Sequence, residues 1–187
     1  MGAMTTFDLP AGGQGHGYAS GTGAAGVLVL HEWWGLAPHI IDVTERFGAA
    51  GFRALALDYY DGTVAPDAAV AGRLVSELDG EAVVELASAA VDHLVAETGV
   101  ARVGVVGYCL GGSLALVLAT RRPDVVVAAA PYYGLPPFVG AAPVWPDLAA
   151  KVVGEYAGLD DHIDPDAVAA LRGELQGLGK DVTFHVH

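Results

Sequence analysis

The stretch "GVVGYCLGG" at residues 104–112 decides the fold. It places the only cysteine of the chain, Cys109, between Gly107 and Gly111, directly after an apolar run. G-x-nucleophile-x-G is the form taken where a strand turns sharply into a helix. The apex residue is forced into a strained conformation, and small residues two before and two after leave room for the turn. The apex side chain is then exposed at the C-terminal edge of the sheet, at a helix N-terminus whose partial positive charge favours a thiolate. The backbone N–H of the next residue, Leu110, points where an oxyanion would form. Taken alone, a lone cysteine beside helix-packing glycines is a small buried hydrophobe. The nucleophile reading is preferred because "ARVGVVGY" (101–108) has the character of a strand and "LGGSLALVLATRR" (110–122) that of a helix halted before Pro123.

Working outward, short apolar runs alternate with helix-spaced segments. "GVLVLH" (26–31), "FRALALD" (52–58), "DVVVAAAPYYG" (124–134), "KVVGEYAG" (151–158) and "DVTFHVH" (181–187) are expected as strands. Residues 39–51, 67–79, 81–98 and 165–179 are expected as helices. Gly99 is a cap after the third, Pro165 is a favoured first position in the fourth, and Gly72 weakens the second. Residues 8–25 suit a loop or a ragged first strand, and "MGAM" at 1–4 resembles a cloning remnant outside the fold. Such alternation requires an α/β fold: a mostly parallel sheet with helices on both faces, in a single domain over 1–187.

Composition narrows the function classes. Nine Lys and Arg against 22 Asp and Glu give a net charge of −13, which would be repelled by a nucleic-acid backbone or an anionic membrane. Apolar runs are far shorter than the ~18 residues that span a bilayer. One cysteine excludes an internal disulfide, and no metal-ligand spacing or phosphate-binding glycine loop appears, so neither a metal nor an organic cofactor is expected. With no signal-peptide pattern, a cytoplasmic monomer or homodimer acting on a small molecule is the expectation.

"HEWWGL" (31–36), "GYCLGG" (107–112), "YYG" (132–134) and "YAGLDD" (156–161) occur in the order of the dienelactone hydrolase family, and the chain resembles it from about residue 24 onward. The resemblance implies an α/β-hydrolase fold and a Cys–Asp–His triad that opens lactones and related esters. Carried over, Cys109 is the nucleophile and Asp160 the acid, with Asp161 its rival and a turn or helix-start carboxylate the ordinary reading of either. Glu32 would contact the resting thiol and take part in its activation; otherwise it is a solvated loop residue. Trp33 would supply the second oxyanion N–H beside Leu110. Trp34, Tyr132 and Tyr133 could line the pocket or the core, and Arg73 is the candidate for a substrate carboxylate. His31, Arg121 and Arg122 have ordinary structural readings and receive no role.

The resemblance also implies a catalytic histidine in a loop after the last strand, followed by a final helix. The sequence reaches His187 without either, so the fold is expected to be C-terminally incomplete. His185 and His187 would share one strand face, and His162 would sit in the acid loop; none is a good base. Three explanations are open: part of a longer chain, a truncation, or a homologue that has lost its base. The last makes a non-catalytic ligand-binding module the alternative to an esterase.

Overall fold

Residues 2–187 are described by a computed structural model. Gly26–Leu30 is buried along its whole length because it lies at the centre of a sheet covered on both sides. The strands are β1 (Ala3–Asp8), β2 (Gln14–Ser20), β3 (Gly26–Leu30), β4 (Arg53–Asp58), β5 (Val103–Tyr108), β6 (Val126–Tyr132), β7 (Lys151–Tyr156) and β8 (Val182–Val186). The helices are α1 (Pro38–Ala49), α2 (Ala68–Glu77), α3 (Gly80–Thr98), α4 (Leu110–Arg121) and α5 (Pro165–Gly177). One eight-stranded sheet has the order β1-β2-β4-β3-β5-β6-β7-β8. It is parallel from β4 through β8, with β1 and β2 added antiparallel. This is the expected α/β arrangement.

The core has two parts. One, on the face covered by α3, α4 and α5, includes Leu28, Leu30, Leu94, Leu114, Leu118 and Leu175. The other, under α1, includes Val27, Val29, Ile40 and Val106. Helix α4 is buried at every position from Gly111 to Thr120, so it has no solvent face, and its two polar side chains there, Ser113 and Thr120, donate to the Leu135 and Val117 carbonyls. On the α1 side, Ala128 of β6 and Thr183 and His185 of β8 are exposed.

The N-terminal expectation needs correction. Of the two readings of residues 8–25, a loop or a ragged first strand, the strand forms as β2, but it is not the first: residues 3 and 4 belong to β1, with Met4 opposite Tyr18. The Gly2 N–H donates to Glu45 Oε1 at 2.7 Å, so residues 2–4 are part of the fold; Met1 lies outside the described residues. Glycines at 15 and 17 hid this strand. They are small because neighbours lie against them: a Cβ on Gly17 would strike the Ala56 carbonyl.

The strand-to-helix turn after β5 is the tightest part of the molecule. A Cβ on Gly107 would overlap the Gly111 carbonyl, and one on Gly111 would overlap the Leu30 carbonyl and lie 2.6 Å from that of His31. The elbow is thus pressed against the end of β3. Gly111→Ala should cost at least about 2 kcal/mol through forced backbone movement. Gly72→Ala, in open space on α2, should stabilise by about 0.5–1 kcal/mol. Thermal unfolding of both variants checks this; an unchanged melting temperature for Gly111→Ala would contradict it.

Candidate active site

Cys109 has φ 53° and ψ −115°, in the left-handed region that only strong local constraint imposes on a non-glycine residue. Its N–H donates to the Tyr132 carbonyl at 2.9 Å, and its carbonyl accepts from the N–H groups of Gly112 and Ser113. The strained apex is therefore tied to β6 on one side and to the first turn of α4 on the other. The thiol opens into a cavity of about 450 Å³. A larger groove, about 630 Å³, lies beside α3 between Leu9 and Arg121; its one hydroxyl among the described residues, Ser88, donates to the Val84 carbonyl within the helix.

The cavity brings together Cys109, Glu32, Trp33, Trp34, Tyr133 and Asp160 from the candidates read in the sequence, with His162 of the acid loop, and adds Ile163. The backbone N–H groups of Leu110 and Trp33 both bear on the sulfur and favour its anion. Burial outweighs them and raises the thiol pKa, with the charges of Glu32 and Asp160 acting in the same direction. The helix N-terminus alone led to an expectation of a favoured thiolate. That expectation is corrected: the buried thiol is held in its protonated form.

The Glu32 carboxylate has two partners other than the sulfur. Tyr133 donates its hydroxyl proton to Oε1 at 2.8 Å, and Nε2 of His39 lies 3.0 Å from Oε2. Among the described residues no hydrogen bond joins the thiol to Glu32, although the two line one cavity. Burial, followed by the bond to Glu32, pushes the Tyr133 hydroxyl well above the usual range, so it remains a donor.

Asp160, rather than Asp161, lines the cavity. Its Oδ1 accepts the N–H groups of His162 at 2.8 Å and Ile163 at 3.1 Å, which hold its carboxyl below the ordinary value. This is the turn role weighed against catalysis, but it uses one oxygen only. Oδ2 accepts no hydrogen bond among the described residues.

Two assignments fail geometrically. Tyr132 stacks on Tyr108 across the β5–β6 pair, with ring centroids 4.9 Å apart, and packs into the α1-side core. Arg73 is exposed on α2 and does not line the cavity. His187 is also settled elsewhere. Its N–H donates to the Tyr156 carbonyl, its carbonyl accepts from Gly158, and its Nε2 is 2.7 Å from Glu155 Oε2. Neither His185 nor His187 lines the cavity. Sequence reasoning overlooked His39, which follows Pro38 at the start of α1, seven residues beyond Glu32. Arg121 and Arg122 have the expected structural roles, paired with Glu81 and with Asp92 and Asp124 respectively.

The dienelactone hydrolase family model matches residues 16–187. The chain belongs to the dienelactone hydrolase family. Among relatives of this hydrolase, "Protein usf" of Aquifex pyrophilus is 32% identical, with all of this chain and 84% of the relative covered. A protein of Aquifex aeolicus named "Putative carboxymethylenebutenolidase" is 33% identical over 88% of this chain and 77% of its own. The crystal structure titled "Putative Dienelactone Hydrolase" from Klebsiella pneumoniae superposes with a TM-score of 0.85 at 23% identity, covering this whole chain and 85% of that one. The α/β-hydrolase fold is thereby shown for this member. No described helix is long and apolar enough to cross a membrane.

In this hydrolase the Glu32 charge works against thiolate formation. Removing a negative charge beside an acid lowers its pKa. Glu32→Gln should therefore move the pH–rate curve for iodoacetamide alkylation of Cys109 to lower pH. An unchanged curve, or a shift to higher pH, would contradict the placement of the carboxylate.

Proposed function

We propose that this member of the family hydrolyses a small carboxylic ester or lactone through Cys109 and an S-acyl intermediate. The observation that carries the proposal is a strained cysteine at a strand-to-helix elbow, its thiol opening into a cavity shared with Glu32, Trp33 and Asp160, where the backbone N–H groups of Leu110 and Trp33 favour the sulfur anion. Such a pair suits the oxygen of a tetrahedral intermediate, where fixed dipoles stabilise developing charge without reorganising. The cavity volume suits a small ligand, and the indoles of Trp33 and Trp34 with Ile163 offer apolar walls. The relatives named as carboxymethylenebutenolidases favour a lactone.

Acylation begins with rotation of Glu32 away from Tyr133 and His39 to accept the thiol proton. The sulfur attacks the carbonyl carbon, and the C=O π pair moves onto the oxygen between the two N–H groups. Collapse of this intermediate breaks the bond to the alkoxide, which leaves with the proton held by Glu32. In a lactone the alkoxide remains attached as the far end of the acyl group. Water then adds to the thioester carbonyl, the C–S bond breaks, and a proton returns to sulfur as the acid departs. Asp160 has Oδ2 available to orient a histidine that takes the proton from this water. In the family that histidine comes from the loop after the last strand.

Hydrolysis of a neutral aryl acetate should fall at least about a thousandfold in Cys109→Ala. Equal rates in the variant and the parent would overturn the proposal. Intact mass separates the two functional readings: transient acylation of Cys109 with turnover supports an esterase. A permanent adduct without turnover supports a chain that binds and acylates but lacks its base.

A further inference from the structure

His31 is fully buried, and the mechanism above does not use it. Burial drives its pKa down to about 3, so the ring is neutral at ordinary pH. Its Nδ1 lies 2.5 Å from the Glu32 carbonyl oxygen. A carbonyl can only accept, so the ring proton must be on Nδ1. Nε2 is then a bare acceptor, buried and without a partner among the described residues. Leaving an acceptor unsatisfied in the interior is unfavourable, whereas an apolar ring of the same shape would avoid the problem. The polar ring is thus accounted for by the bond it donates.

The rest of its surroundings fix its orientation. The ring stacks on Tyr59 with centroids 3.6 Å apart and meets the edge of Tyr60 at 5.0 Å. The Tyr59 hydroxyl donates to the His31 carbonyl. That carbonyl also lies against Gly111 of the elbow, which admits no side chain there.

The Glu32 carbonyl and the Trp33 N–H belong to one planar peptide unit, pointing in opposite directions in the trans form. The Glu32 carbonyl also accepts the Gly35 N–H, at 3.4 Å, so the His31 ring at 2.5 Å is the closer donor fixing the plane of that unit and polarising the N–H at its other end. Trp33, Glu32 and Cys109 line one cavity, and the Trp33 N–H is the lesser of the two backbone donors that favour the sulfur anion there. We infer that His31 is the positioning residue for the second oxyanion donor, holding and polarising the Trp33 N–H through the Glu32 carbonyl. The inference rests on the acyl-transfer reading proposed above.

Two reagents distinguish this role from simple core filling. An aryl ester forms an oxyanion when it acylates Cys109, while iodoacetamide alkylates the same sulfur without one. Both rates are measured on their high-pH plateaus, where the thiol is fully ionised and its pKa no longer enters. In His31→Phe, which keeps the ring but loses the donor, the acylation plateau should fall about tenfold or more, part of the hundredfold or greater loss seen when an oxyanion donor is removed outright. The alkylation plateau should remain unchanged. His31→Asn, whose side-chain amide can donate to the same carbonyl, should recover most of the loss. An unchanged acylation plateau, an equal fall with both reagents, or an Asn variant no faster than Phe would each overturn the inference. Nitrogen-15 NMR of the unaltered protein tests it without a substitution. His31 should be neutral with its proton on Nδ1 from pH 5 to pH 8, and a proton on Nε2 would overturn it. If Cys109 forms no adduct even in the parent protein, the acyl-transfer reading itself has failed. If it forms one at the parent's plateau rate in His31→Phe, only the positioning role has.

Discussion

The reversal of the chain at Cys109 constrains everything around it. A strand buried in a sheet must end and a helix must begin within one residue, with that residue at positive φ. This is possible only if the flanking backbones approach more closely than any side chain permits, hence Gly107 against Gly111 and Gly111 against the ends of β3. The same contacts bring the 31–33 segment beside the sulfur. The glycines therefore do two things together: they admit the turn, and they bring two loops from distant parts of the sequence to one atom.

Electrostatics then determine the state of that atom. Two N–H groups favour the thiolate, while burial and two carboxylates oppose it, and the opposition prevails. A thiol kept protonated until substrate arrives is protected from oxidants and alkylating agents. Glu32 restrained by Tyr133 and His39 fits the same logic. Its carboxylate lies close enough to suppress the thiolate but is hydrogen-bonded elsewhere until something displaces it.

Much of the fold was legible from residues 104–112 outward. The alternation of Val-rich runs with helical spacing gives the parallel sheet, and G-x-C-x-G locates its elbow. The antiparallel β1–β2 edge was obscured because Gly15 and Gly17 remove the side-chain alternation that reveals a strand. At the site, Cys109, Glu32, Trp33, Trp34 and Asp160 were readable because each follows a strand, where sheets of this kind place their chemistry. The choice between Tyr132 and Tyr133 was not. Tyr132 continues the alternation of β6 and so faces the α1-side core, while Tyr133 departs from it at φ 39° and turns into the cavity. Neither the bond from Tyr133 to Glu32, across 101 residues, nor the approach of His39 leaves a periodic signal in the sequence. His31 looked like an ordinary core histidine because only the depth of its burial and the direction of Nδ1 distinguish it.

The central claim is that the Leu110 and Trp33 N–H groups form an oxyanion site for chemistry at Cys109. A crystal structure of the protein after reaction with an aryl ester, captured as the S-acyl adduct, tests it most directly. The acyl carbonyl oxygen should lie within about 2.7–3.1 Å of both backbone nitrogens. An acyl group bonded to Cys109 with its oxygen turned away from both, or an adduct on another residue, would contradict the claim.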